Sequence, residues 1–258
     1  MDMPIVTLTT DYGKGNVYLA ALKGKILQEL PNTVLVDFDH SIEPHNIIKA
    51  AFVVKNAAHY FPDNTIHLIS TGAINSEELI IAFANNQYYI AYDNGLLSLI
   101  FPKQANVKFY KINSISGYKS FPELNSFPIA ISYLINNQIE SLVSIDFPSN
   151  RLQLQMPVIE ENILRGGVVY IDGYDNVITN ITRDLFEERK QNKKGFRIVL
   201  RRKLYVNNIS DSYQSVKPGT ELALFNSFNL LEIAINEGNA AQLLGFKIGA
   251  PVIIEFYD

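Results

Sequence analysis

An aspartate, a tyrosine and a glycine close the first apolar run of this 258-residue chain, Ile5-Val6-Thr7-Leu8-Thr9-Thr10-Asp11-Tyr12-Gly13. A helical pattern begins directly afterwards. A buried strand that ends in Asp-x-Gly before a helix puts Asp11 at the carboxyl edge of a sheet, where open α/β sheets bind their ligands. The alternative is an aspartate that caps the following helix. The expectation is that Asp11 holds a small molecule and that later motifs close around the same molecule. Other chemistries find less support. His40, His59 and His67 show no metal-ligand spacing, so no metal site is expected. The chain has no cysteine, which removes disulfides, zinc–thiolate sites and thiol nucleophiles and fits a reducing cytoplasm.

The length allows two modest domains or one large one. A formal net charge of -4 speaks against a nucleic-acid binder driven by phosphate contacts. The one basic cluster, Arg189-Lys190-Gln191-Asn192-Lys193-Lys194, reads as a solvated loop. No stretch is apolar and long enough for a signal sequence or a membrane span. The expectation is a soluble, cytoplasmic globular protein with no nucleic-acid or membrane partner.

The elements that must position Asp11 come next. Apolar residues at helical spacing run from Asn16 to Leu30, with Pro31 closing the segment. Thr33–Phe38 reads as a second strand, His40–Asn46 as a loop, and Asn46 as the cap of a helix over Ile47–Ala58. Thr65–Ser70 reads as a third strand that ends in the loop Thr71–Ser76. Leu79–Phe83 and Gln87–Ala91 read as a hairpin across Asn85-Asn86. Phe127–Leu134 is a helix candidate after Pro122, with Pro128 in its first turn, where proline is tolerated. Alternation of strands and helices predicts an α/β N-terminal domain with a largely parallel sheet over residues 1–150. From Gly166 short strands separated by turn residues dominate: Val168–Ile171, Gly195–Leu200, Leu222–Phe225, Glu232–Ile235 and Pro251–Phe256. They predict an all-β, barrel-like C-terminal domain over residues 160–258, with a linker around residues 148–162.

Three segments in order carry a resemblance. The first is Thr9-Thr10-Asp11-Tyr12-Gly13 followed by Tyr18-Leu19-Ala20-Ala21-Leu22-Lys23-Gly24. The second is Asp172-Gly173-Tyr174-Asp175-Asn176-Val177-Ile178-Thr179-Asn180. The third is Asn226-Ser227-Phe228-Asn229-Leu230-Leu231-Glu232-Ile233-Ala234 followed by Gly238-Asn239-Ala240-Ala241. With Tyr60-Phe61-Pro62 and Tyr92-Asp93-Asn94-Gly95-Leu96-Leu97, the chain resembles the S-adenosylmethionine hydroxide adenosyltransferase family, relatives of the fluorinase and chlorinase enzymes. The resemblance implies displacement at the ribose C5′ of S-adenosylmethionine, with methionine leaving. It also implies a homotrimer whose ligand lies between the N-terminal domain of one subunit and the C-terminal domain of its neighbour. No cofactor is expected, S-adenosylmethionine itself being substrate or ligand.

Residue by residue, the resemblance makes Asp11 the ribose anchor. It makes Asn176 a reader of the adenine edge, since an amide offers donor and acceptor together. Tyr174 is implied to stack on adenine, with Tyr213 a candidate for the second face. Asp172 and Ser227 are implied to hold the methionine amine and carboxylate, and His45 belongs to a loop that reaches the reacting carbon. Phe121, Phe228 and the backbone at Ala240 complete the implied ligand contacts. Structural alternatives stand beside these roles: turn residues at Asn176 and Ser227, core packing at Tyr174, a strand-end role at Asp172, a solvated imidazole at His45.

The resemblance also shows departures. The water-using relatives carry an Asp, an Arg and a His that position the attacking water. Here Ser70, Glu77 and Pro122 occupy those positions. Water is a poor nucleophile unless oriented or deprotonated, and losing one such group typically costs about 10²–10⁴ in rate. Glu77, Glu78 and Glu123 are candidate replacement bases, although ordinary surface glutamates is the simpler reading. Three outcomes follow: an enzyme that cleaves S-adenosylmethionine with a rearranged water site, a nucleoside-binding protein that has lost the chemistry, or a structural trimer with a vestigial pocket.

Overall fold

The computed structural model describes residues 3–72, 78–102, 106–112, 117, 119–201 and 204–258. Two compact units meet at a boundary between Leu154 and Gln155. In the first, β1 (Ile5–Thr10), α1 (Val17–Glu29), β2 (Val34–Asp39), α2 (Ile47–Ala57) and β3 (Ile66–Ser70) alternate as the sequence leads one to expect. The chain continues through β4 (Leu79–Ala84), β5 (Gln87–Tyr92), α3 (Leu96–Ile100), β6 (Lys108–Ile112), α4 (Glu123–Ile135) and β7 (Val143–Ile145). Among the described residues the strands form one sheet in the order β2-β1-β3-β5-β4-β6-β7.

This sheet is mixed, which corrects the largely parallel expectation. Pairs β1–β2, β1–β3 and β3–β5 are parallel, whereas β4–β5, β4–β6 and β6–β7 are antiparallel. The cause is the hairpin turn. Asn85 and Asn86 both sit at positive φ, 50° and 59°, the backbone a tight two-residue connection requires. That connection sends β5 back alongside β4, and β6 and β7 follow on the antiparallel side. The two faces of the sheet are covered separately. Leu22 and Ile26 of α1 and Phe127, Ala130 and Ile131 of α4 pack on one face against Val6, Leu8, Ile81 and Ile90. Ala50, Ala51 and Val54 of α2 and the wholly buried α3 pack on the other against Ile69, Ile80 and Tyr89.

Asn46 caps α2 as expected, its Oδ1 accepting the Lys49 N–H, whereas α1 is capped by Asn16, whose Oδ1 accepts the Tyr18 N–H, and not by Asp11. Helix α4 begins four residues before the expected start, so Pro128 lies in its interior rather than in its first turn. An interior proline costs about 3 kcal/mol. Burial of Phe127, Ile131 and Leu134, at roughly 1.5–3 kcal/mol each, exceeds that cost.

The second unit contains β8 (Val158–Ile159), β9 (Ile163–Ile171), β10 (Val177–Thr182), α5 (Arg183–Lys190), β11 (Gly195–Arg201) and β12 (Leu204–Val206). It ends with β13 (Glu221–Phe225), β14 (Leu230–Ile235), α6 (Ala240–Leu244) and β15 (Pro251–Tyr257). Every described pairing here is antiparallel, in the order β12-β11-β15-β9-β10-β14-β13 with β8 added on β9, a nearly closed barrel-like sheet. Phe186 of α5 is fully buried among Phe196, Phe225 and Phe256, with ring centroids 4.9, 5.3 and 6.0 Å away.

Helix α5 was not legible as such. Its end takes in Arg189 and Lys190, so the basic cluster is only partly loop. Arg189 donates to the backbone carbonyls of Glu160 and Glu161, and Lys193 pairs with Asp258. The expected linker is fastened at both ends. Ser149 and Asn150 donate backbone N–H groups to Asp93, Leu152 N–H bonds Ser98 Oγ, and β8 pairs with β9. No described helix is long and apolar enough to cross a membrane.

His67, on β3, is fully buried with Nδ1 2.8 Å from Thr7 Oγ1 and its ring stacked on Tyr89. Burial disfavours the imidazolium and lowers its pKa from 6.5 to about 4. Between those values the unfolded chain binds a proton that the folded chain refuses, so stability rises with pH through this window and is lost as pH falls. From pH 7 down to about pH 4, wild type is expected to lose roughly 3 kcal/mol more unfolding free energy than His67→Phe. Urea denaturation series at several pH values measure the difference; parallel pH profiles would remove His67 from this role.

Candidate functional site

β1 and β3 run parallel with Thr10 opposite Ser70, so their carboxyl ends share one edge. Asp11 follows at once, its N–H directed at the Ser70 carbonyl (3.3 Å). Its side chain does not cap α1, since Asn16 does that. Instead Asp11 Oδ2 accepts backbone N–H groups from two loops, His45 at 2.9 Å and Gly72 at 3.0 Å. Both donors are in the left-handed region, His45 at φ 66° and Gly72 at φ 82°. A Cβ on Gly72 would meet Ile47 at 2.9 Å, so glycine suits this position both sterically and conformationally. The second oxygen, Oδ1, accepts no hydrogen bond among the described residues. His45 is therefore tied to Asp11 through its backbone, and its side chain is exposed.

Beside Asp11 lies a second cluster. Tyr12 Oη lies 2.7 Å from Ser70 Oγ and 3.1 Å from Glu123 Oε1, and Ser70 Oγ lies 2.7 Å from the same Glu123 oxygen. Burial, and then the negative charge of Glu123, raise the Tyr12 phenol well above its ordinary pKa, so it stays a neutral donor. Phe121 is buried against the rings of Tyr12 and Tyr18, with centroids 5.5 and 5.0 Å away. Pro122 is half-buried at the N-cap of α4 and donates nothing. Glu123, a candidate replacement base in the sequence, is not the surface glutamate of the simpler reading; it is 2% exposed, because the first turn of α4 carries it beneath the strand ends. Glu78 is engaged by Lys111 Nζ at 2.5 Å. Glu77 lies outside the described residues.

The C-terminal unit carries the remaining candidates. Asp172 closes the turn between β9 and β10. Its Oδ1 accepts the N–H groups of Tyr174 (2.9 Å) and Asn176 (2.8 Å), and its Oδ2 accepts Asn176 Nδ2 (3.0 Å). Asp175, at φ 66°, accepts the Ala241 N–H on its carbonyl and the Gln242 N–H on its carboxylate, which joins the turn to α6 beside buried Ala240. The turn leaves Tyr174 83% exposed and Asn176 buried.

Nearby, Glu232 of β14 accepts from Tyr213 Oη (2.6 Å) and Asn226 Nδ2 (3.1 Å). Asn226 Oδ1 accepts the Phe228 and Leu230 N–H groups, which leaves Ser227 exposed at the tip. Burial first, and then the Asp172 charge, raise the Glu232 pKa; burial and the bond to Glu232 raise that of Tyr213.

Sequence reasoning passed over the roles of Tyr12, Asp175, Asn226 and Glu232. Glu232 had a readable signal, being a lone carboxylate inside the apolar strand Leu230-Leu231-Glu232-Ile233-Ala234-Ile235.

The molecule thus defines a class: a mixed α/β domain with a polar cluster at its parallel strand ends, followed by an antiparallel barrel-like domain with a second polar cluster. The chain belongs to the SAM hydroxide adenosyltransferase family, whose N-terminal domain matches residues 6–141 and whose C-terminal domain matches residues 166–253. It is 26% identical to the (R)-S-adenosyl-L-methionine hydrolase of Methanocaldococcus jannaschii over 94% of this chain and 92% of that protein. It is 22% identical to a fluorinase of an Actinoplanes species over 97% of each. A crystal structure of a conserved protein from Thermotoga maritima superposes with a TM-score of 0.84 at 27% identity, covering 97% of this chain and 99% of that one.

Asp172→Ala removes the three side-chain bonds to the Asp172–Asn176 turn and leaves its backbone bonds. It is expected to lower unfolding free energy by about 1–3 kcal/mol in chemical denaturation. An unchanged midpoint would mean that the turn is held by other groups.

Proposed function

We propose that this protein binds S-adenosylmethionine and cleaves it to adenosine and methionine by attack of water at the ribose C5′. The observation that carries the reading is Asp11: a carboxylate at the carboxyl edge, one oxygen pinned by two backbone amides and the other accepting no hydrogen bond among the described residues, in a chain whose two domains both match the family. An open carboxylate oxygen suits the vicinal hydroxyls of a ribose. The named activity of the hydrolase relatives supports the choice of water over halide.

The other roles in this proposal follow from chemistry. Asn176 offers a donor and an acceptor to the adenine edge. Tyr174 presents an exposed ring to one adenine face, and Tyr213, held at its hydroxyl by Glu232, offers another. Asp172, with the Glu232 charge behind it, suits the methionine ammonium, and the Ser227 hydroxyl suits its carboxylate. Phe121 and Phe228 add apolar walls, His45 and Ala240 contribute through the backbone, and the assembly is a homotrimer.

In the reaction the water oxygen bonds to C5′ and the C5′–S bond breaks with its electron pair going to sulfur. The sulfonium charge disappears and one proton is released. The sulfonium is already an activated leaving group, so no cofactor is needed, and alignment and exclusion of bulk water do much of the work. The protein acts as a soluble cytoplasmic enzyme with a small-molecule substrate and no nucleic-acid partner.

Purified protein incubated with S-adenosylmethionine is expected to release adenosine and methionine linearly, measured by chromatography. Asp11→Ala is expected to lower kcat/KM by about 10²-fold or more, the loss of two charge-assisted hydrogen bonds. Tight nucleoside binding by calorimetry with no product above a heat-killed control would overturn hydrolysis and leave a binding protein. Sedimentation velocity tests the trimer.

A further inference from the structure

We propose that Glu123 takes up the proton of the attacking water through the hydroxyl of Ser70, and that Tyr12 holds that hydroxyl in line; the inference rests on the hydrolytic reading above. Its basis is a carboxylate that structural needs do not explain. Glu123 is 2% exposed, yet its Oε2 is buried without a hydrogen-bond partner. Among the described residues no cation pairs with it, and its hydrogen bonds go to Ser70 and Tyr12 only. It does not cap its own helix, which has no side-chain cap. A buried carboxylate without a cation costs several kcal/mol, and an apolar or neutral replacement is often neutral or stabilising. The position at the first turn of α4 lessens this cost, since a helix N-terminus favours negative charge.

The geometry gives this carboxylate a path outward. A serine hydroxyl has one proton to donate and two lone pairs. Tyr12 Oη, 2.7 Å away, donates to one lone pair, and the Ser70 proton points to Glu123 Oε1, also at 2.7 Å. The second lone pair is left for one more donor. Ser70 terminates β3 opposite Thr10, and its carbonyl meets the Asp11 N–H, so the hydroxyl sits at the same strand end as Asp11. Tyr12 cannot compete as an acid or base, because its phenol is held neutral by burial and by the Glu123 charge.

The step balances without a further reactant. As water oxygen bonds to C5′ and the C5′–S electron pair moves to sulfur, a water proton passes to Ser70 Oγ and the Ser70 proton passes to Glu123. Glu123 then releases it to solvent, and methionine and adenosine depart. Glu123 acts through Ser70 and is a positioning group and proton store rather than a group that touches substrate.

The test uses the full-length chain. Glu123→Gln is expected to lower kcat about 10²-fold or more, while KM and the calorimetric affinity for S-adenosylmethionine change less than about threefold and thermal stability stays equal or rises. Ser70→Ala should lower kcat similarly. Wild-type turnover with kcat of Glu123→Gln within threefold overturns the proposal and leaves hydrolysis standing. A kcat loss that tracks a fall in stability also overturns it in favour of a structural glutamate. Absence of turnover in the wild-type chain overturns both.

Discussion

One carboxylate oxygen ties this active edge together. Asp11 Oδ2 receives the His45 amide from the loop after β2 and the Gly72 amide from the loop after β3. Those loops leave strands on either side of β1, and without a shared acceptor their amides would have to find separate partners. The left-handed backbone at His45 and Gly72 aims both N–H groups at the same atom. The left-handed backbone of His45 carries strain that is part of how the edge is built, whereas glycine adopts the same region freely at residue 72. The neighbouring Tyr12–Ser70–Glu123 cluster depends on the same junction, since Tyr12 follows Asp11 in the chain and Ser70 precedes the Gly72 loop by two residues.

The C-terminal domain solves a related problem differently. Its turn Asp172–Asn176 and its tip Asn226–Leu230 are each folded around a single side chain that accepts two backbone amides. These side chains consume their own hydrogen-bonding capacity to hold a loop, and the loop then presents other groups: Tyr174 outward, Ser227 at a tip, Asn176 inward. Glu232 and Asp172 raise the local negative potential without any described cation in contact with Glu232. Such a place suits a positive charge better than a negative one.

Local chemistry was the legible part of the sequence. Asn46 caps its helix by rules that involve only a few neighbouring residues, and Asn85-Asn86 specified a hairpin for the same reason. What the sequence hid was non-local. The hairpin makes β4–β5 antiparallel, but that β4 also pairs with β6, and β6 with β7, is a choice that no local pattern encodes. Helix α5 has apolar residues only at Leu185 and Phe186, so its periodicity is too short to register, although Phe186 anchors a core. Glu123 looked like surface because glutamate usually is surface. Its burial follows from where α4 packs on the sheet. The order of motifs revealed the family and made Glu123 one of three candidate bases, whereas its contact with Ser70, 53 residues away in the chain, is non-local and not readable from the sequence.

The division of Asp11 into a bound oxygen and an open one has a consequence for affinity. Two amides fix the rotamer before any ligand arrives, so the entropic penalty of ordering this side chain is met in folding rather than in binding. If Asp11 meets the ribose as proposed, affinity there would depend on residues 45 and 72 as much as on the atom that meets the ligand, even though neither side chain would need to touch it. A substitution that merely loosened those loops would weaken binding while every contact atom stayed in place. Conversely, a bound ligand would be felt as added resistance to opening throughout both loops, the edge being a single mechanical unit clamped at one atom.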